Sequence, residues 1–137
     1  MNLKNNKSGF TLLEVIIVII IVGVLASLAL PRFFKTVEYS RATEALQNLS
    51  AIRQSLQRCY LAKSNNYTNC DAANLADLDI DDPSTAVQSH FTYAIAAGVS
   101  TFTITATRNN LDGGNDTDTI TLNEAGARAG SGNYTGI

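Results

Sequence analysis

From Phe10 to Leu30 the chain runs for 21 residues with one formal charge, Glu14. As a helix rising about 1.5 Å per residue, this stretch is roughly 30 Å long, the thickness of a bilayer hydrocarbon core. A chain carrying such a segment must place it in lipid or cover it with other apolar surface. The lone carboxylate near its start costs about 2–3 kcal/mol on insertion scales, so Glu14 invites a functional reading. The plainer account is first-turn helix stabilisation, because an acid suits the positive end of the helix dipole.

The flanking residues extend the pattern. Residues 1–9 are short, polar and basic, and Lys4 and Lys7 favour a cytoplasmic N-terminus on a single membrane pass. Cleavage after Ala26-Ser27-Leu28-Ala29, as in an ordinary secretory signal, is the alternative. Gly23 and Pro31 punctuate the apolar run, and a kink or local opening is expected between them. Otherwise Pro31 ends the helix. Beyond it, Ala42, Ala45, Leu46, Leu49, Ile52, Leu56, Cys59 and Tyr60 recur at three- and four-residue spacings, with no glycine or proline from Arg32 to Lys63. Residues 10–30 and the amphipathic residues 31–63 therefore read as one bent helix, about 80 Å long.

Residues 64–137 remain for a globular head, which is marginal for a free-standing core, so the head is expected to lean on the striped helix. Leu75, Leu78 and Ile80 should pin a loop over residues 64–90. Alternation then marks strands at 91–95, 101–108 and 119–123, with Phe102, Ile104 and Ala106 on a buried face. A short fourth strand near Ala127-Arg128 and a loosely ordered tail complete the expectation. The fold class is α+β: a long helix on a small antiparallel sheet of three or four strands.

Charge narrows function. The net charge of −2 hides an asymmetry, because residues 10–63 carry six basic and three acidic groups while residues 64–137 carry two basic and nine acidic. An acidic head has the wrong sign for nucleic acid. Cys59 and Cys70 enclose a short loop and favour a disulfide if the head faces an oxidising space, with two free thiols as the alternative. His90 is the only histidine, set at a strand edge beside Phe91, and no nucleophile, base and orienting acid stand together. An enzyme is not expected. No cofactor is expected either. For calcium, Asp77-x-Asp79-x-Asp81 lacks the glycine and glutamate of a hand-type loop, and Asp112, Asp116 and Asp118 are weak candidates for metal ligation.

Gly9-Phe10-Thr11-Leu12-Leu13-Glu14-Val15 on a short basic leader, continued through Gly23-Val24-Leu25-Ala26 and Pro31, resembles the prepilin signal of type IV pilins and type II secretion pseudopilins. The resemblance is specific over roughly residues 3–40. It implies that a prepilin peptidase and methyltransferase cuts after Gly9, removing residues 1–9, and N-methylates Phe10. It implies that Glu14 faces the Phe10 ammonium of a neighbouring subunit during assembly, and that the segment from Gly23 to Pro31 locally unwinds in the fibre. The implied partners are further copies of the chain, minor pilins, an inner-membrane assembly platform and the membrane itself. A pilus subunit is favoured over a major pseudopilin, because there is no tryptophan and Asp82-Pro83-Ser84 does not match the pseudopilin segment before the sheet. Minor-subunit roles and a membrane-anchored binding protein are the remaining readings.

Overall fold

The computed structural model describes residues 9–70 and 75–137, without the side chains of Ala76 and Asp77. The leader lysines Lys4 and Lys7 thus lie outside the described residues, and so does the side chain of Asp77. The chain divides into two compact units, Met1–Val37 and Glu38–Ile137.

The first unit contains the start of α1, a helix spanning Leu12–Ala62. Thr11 caps it: the Glu14 N–H donates to Thr11 Oγ1 at 3.2 Å and to the Thr11 carbonyl at 3.1 Å. The helical pattern runs without a break through Gly23 and Pro31. The expected local opening is therefore absent from the isolated chain. One proline deletes a single backbone donor, and the helix-competent aliphatic residues before it sustain the rest of the ladder.

The second unit holds the amphipathic part of α1 and the head. Ala42, Ala45, Leu49, Ile52 and Leu56 are buried at the spacings the sequence shows. Four strands follow, β1 (Phe91–Ala97), β2 (Phe102–Arg108), β3 (Thr119–Asn123) and β4 (Arg128–Gly130), in an antiparallel sheet ordered β1-β2-β3-β4. β1 is two residues longer than expected, because Ala97 pairs with Phe102 and the turn falls at Gly98, whose N–H donates to the Thr101 carbonyl at 2.8 Å. In register, Ile95 faces Ile104, Ile104 faces Leu122, and Ala106 faces Ile120. These side chains share the core with the helix face, and Leu75 and Leu78 close it from the loop while Ile80 packs at its margin. The Ser55 hydroxyl donates to the Leu78 carbonyl at 2.8 Å, so the loop is tied to the helix by a buried hydrogen bond as well as by apolar contact.

One expectation fails, and the inner face of the sheet carries a residue not placed there from the sequence. The tail is not loosely ordered, since Tyr134 is fully buried and its ring lies 5.8 Å from that of Phe91. Arg108, which ends the Phe102-Ile104-Ala106 series, continues to the same inner face and is also fully buried. Both follow from Glu38. Its carboxylate accepts from Arg108 Nε and Nη2 at 3.3 Å each, from Tyr134 Oη at 2.8 Å, and from Arg41 Nη1. The remaining Arg108 donors go to the carbonyls of His90, Asn109 and Leu111, and to Asn109 Oδ1. A buried guanidinium is tolerable when its donors are placed in this way. The loop over it is packed so closely that a Cβ at Gly114 would collide with the Asn109 carbonyl and the guanidinium.

Burial works to raise the Glu38 carboxyl, but the hydrogen bonds from Arg108, Tyr134 and Arg41 outweigh it and hold the group at about 2. Burial and the adjoining Glu38 raise the Tyr134 phenol above its ordinary value. A depressed carboxyl stabilises the fold above its unfolded value near 4.5, and that contribution is lost as pH falls through about 2. We expect Glu38→Gln to cost about 2–3 kcal/mol at pH 7 and to flatten the stability profile between pH 5 and 2. Denaturant unfolding of wild type and variant across that range measures it. Parallel profiles would contradict the assignment.

Candidate functional site

In the first unit the surface offered to a partner is the apolar helix itself. It is long and apolar enough to cross a membrane, and none of its most apolar stretch is buried. Phe10 is 85% exposed, and Leu13, Ile17, Ile20, Val24 and Leu28 are exposed beyond it. Isolated surface leucines are ordinary, but a continuous helix of them is a binding surface or a lipid-facing one. Among the described residues Gly9 and Gly23 have no neighbours that an added Cβ would touch, so packing within them does not demand glycine at either position. Glu14 is exposed, with no ion-pair partner among the described residues.

In the second unit Cys59 and Cys70 form a disulfide with a Cα–Cα distance of 6.0 Å, and no free cysteine remains. It joins the last turns of α1 to a short 3₁₀ turn at Tyr67–Asn69, which is capped by Asn66 accepting from the Thr68 N–H at 2.9 Å. The Tyr67 ring stacks on Tyr60 with centroids 4.3 Å apart and meets Phe102 edge-on at 4.8 Å. The bridge thus fixes an aromatic corner between helix and sheet.

The three acids weighed for calcium occupy separate settings. Asp112 Oδ2 accepts from Arg41 Nη2 at 3.1 Å and lies 3.1 Å from His90 Nε2. Asp118 is buried and accepts from Asn133 Nδ2 at 2.7 Å, while Asp116 is exposed. Gly132 adopts a positive φ of 61° against Asp118, where any side chain would strike the carboxylate. Among the described residues no group of three or more His, Cys, Asp or Glu side chains is placed to hold a metal ion. His90 precedes β1, and its Nδ1 is buried without a hydrogen-bond partner among the described residues.

The residues sequence reading missed are Glu38, Arg108 and Tyr134. For Arg108 the signal was present: positions 102, 104, 106 and 108 alternate strictly, and the alternation includes the arginine. Glu38 and Tyr134 stand 96 positions apart, and no local pattern links them.

A long capped helix whose second part packs on a four-stranded antiparallel sheet, preceded by a bare apolar part, defines the class of pilin-like proteins. Residues 4–30 match the prokaryotic N-terminal methylation motif. Residues 31–122, well over half of the chain, match the model described as type IV minor pilin ComP, DNA uptake sequence receptor. This chain belongs to that family of type IV pilins. Among curated relatives it is 38% identical over 61 residues to the type IV major pilin protein PilA of Myxococcus xanthus, covering 44% of this chain and 27% of the relative. It is 39% identical over 64 residues to the type II secretion system core protein G of Aeromonas hydrophila, covering 47% of this chain and 44% of the relative. The chain thus spans less than half the length of these relatives. A crystal structure of the non-core minor pilin PilV of Neisseria meningitidis has the same fold, with TM-score 0.51 and 22% identity over 68% of this chain and 85% of that one.

Removing the disulfide loosens the aromatic corner. For a loop of this size the loss is about 3 kcal/mol. We expect Cys59→Ser/Cys70→Ser to lower the denaturation midpoint accordingly, and a thiol count under denaturing, non-reducing conditions to find none in wild type. Two titratable thiols would contradict the bridge.

Proposed function

We propose that this chain is a structural subunit of a type IV pilus-like filament, held in the inner membrane with its N-terminus cytoplasmic and polymerised through its N-terminal helix after leader cleavage. The observation that carries this reading is the bare apolar helix beginning at Phe10, joined to a matched methylation motif. The same surface serves two environments in turn. In lipid it is solvated by acyl chains, and in a filament by the Ile, Val and Leu side chains of neighbouring helices, in an open helical array.

Processing gives each residue of the N-terminus a role. Among the described residues nothing packs where a Gly9 side chain would stand, which fits a glycine required by the narrow site of a prepilin peptidase. Cleavage after it creates an ammonium at Phe10. Glu14, exposed and without an ion-pair partner among the described residues, is available to the Phe10 ammonium of the next copy. Neither charge is comfortable alone in a low-dielectric core, and together they favour one axial stagger between subunits. Gly23 and Pro31 are the weakest helix formers of the segment, and we assign any local unwinding in the fibre to them.

A major pseudopilin of a type II secretion system is the second reading, favoured by the similarity to core protein G. The pilus reading is preferred because the larger match is to a pilin model and because the sequence has no tryptophan. The DNA-receptor activity in that model's description is not extended to this head. Residues 64–137 carry two basic groups against nine acidic, and one of the two, Arg108, is buried on Glu38. That balance repels a polyanion.

The mature protein should lack residues 1–9 and carry a methyl group on Phe10, read by intact-mass and peptide mass spectrometry. Glu14→Leu should leave membrane insertion intact and cut filament yield at least tenfold. An unprocessed Met1 in a peptidase-competent host, or undiminished fibres from the Glu14 variant, would contradict the proposal.

A further inference from the structure

Just beyond the apolar run and Pro31 stand Arg32, Phe33, Phe34 and Lys35. All four are exposed, the two phenylalanines at 62% and 63%. Their rings sit 6.1 Å apart, edge to face. Neither cation has an ion-pair partner among the described residues. The nearest acid along the helix, Glu38, is already engaged by Arg41, Arg108 and Tyr134.

Length fixes where these residues fall. With Phe10–Leu30 filling a hydrocarbon core of about 30 Å, Arg32 lies about 3 Å and Lys35 about 8 Å beyond its edge. The headgroup layer on each side is roughly 5–8 Å deep, so the whole tetrad occupies it. Angle then separates lipid from protein as the partner. At about 100° per residue, Phe33 and Phe34 point about 100° and 200° round the helix from Arg32, and Lys35 returns to within about 60° of it. The group therefore encircles the helix instead of forming a stripe. A protein partner contacts one face, whereas a membrane interface surrounds a helix on every side.

We propose that Arg32, Phe33, Phe34 and Lys35 form a collar that binds anionic phospholipid headgroups on the exit side of the membrane and fixes the depth of the stored subunit. The guanidinium and ammonium take lipid phosphates, the former through its planar fork, and the two rings lie at the boundary between headgroups and acyl chains. The collar rests on the reading that this helix is stored in a bilayer before assembly. Its release from phosphate is part of what extraction into a filament must overcome.

The test uses the full chain in vesicles of phosphatidylcholine with one third phosphatidylglycerol. Flotation with the vesicles after an alkaline wash reports the anchor, and a wild-type chain left in the soluble fraction would overturn the storage reading and the collar with it. Collar function is read separately, as the ratio of phosphatidylglycerol to phosphatidylcholine retained after mild detergent extraction. We expect wild type to enrich the anionic lipid and Arg32→Gln/Lys35→Gln to lose about fivefold of that enrichment while still floating. Arg32→Lys/Lys35→Arg should restore it. Depth is read with a fluorophore on Ser40→Cys, the native cysteines being bridged. Phe33→Ala/Phe34→Ala should reduce its quenching by headgroup-labelled lipid. Floating variants with unchanged lipid ratio and unchanged quenching would overturn the collar.

Discussion

An apolar helix that its own chain does not cover is the constraint behind the rest of this structure. From Phe10 to Leu30 there is more hydrophobic surface than a single water-soluble subunit can leave bare, since each fully exposed aliphatic side chain forfeits about 1.5–3 kcal/mol of burial. On the proposed function, that surface is given first to lipid and then to other copies of the chain. The methylation motif and the membership of a pilin family agree with both, in succession.

The head solves a different problem, that of building a stable core from few residues. It borrows one face of α1 from Ala42 to Leu56 and covers it with four antiparallel strands. Two cross-links of different chemistry tie the remaining segments to that helix. The Cys59–Cys70 disulfide holds the loop after the helix, and Glu38 holds Arg108 from the end of β2 and Tyr134 from the tail. The second depends on ionisation and the first on redox state, so acid and reductant act on opposite ends of the same helix segment.

Much of this was legible in the residues. The helix stripe, the β2 and β3 inner faces, the cysteine pair and the loop leucines all follow from local periodicity or composition, which one sequence displays directly. The tail was misread because its glycines and small polar residues suggest disorder, whereas the burial of Tyr134 is decided by Glu38, far away in sequence. The continuation of the helix through Pro31 was legible, but the local opening expected beside it is absent, since one missing donor does not interrupt a helix whose neighbours remain bonded. The acids at 112, 116 and 118 share a loop in sequence but not an environment: one pairs with Arg41, one is buried on Asn133 and one faces solvent.

On the proposed function, the same helix leaves the membrane and becomes the core of a fibre. Immunogold electron microscopy of fibres sheared from the cell surface, with antibody raised against the head, tests it directly. Labelled fibres are expected in the sheared fraction, vanishing when the chain is deleted and returning on complementation. Antigen confined to the membrane fraction, with unlabelled fibres persisting in the deletion strain, would contradict it.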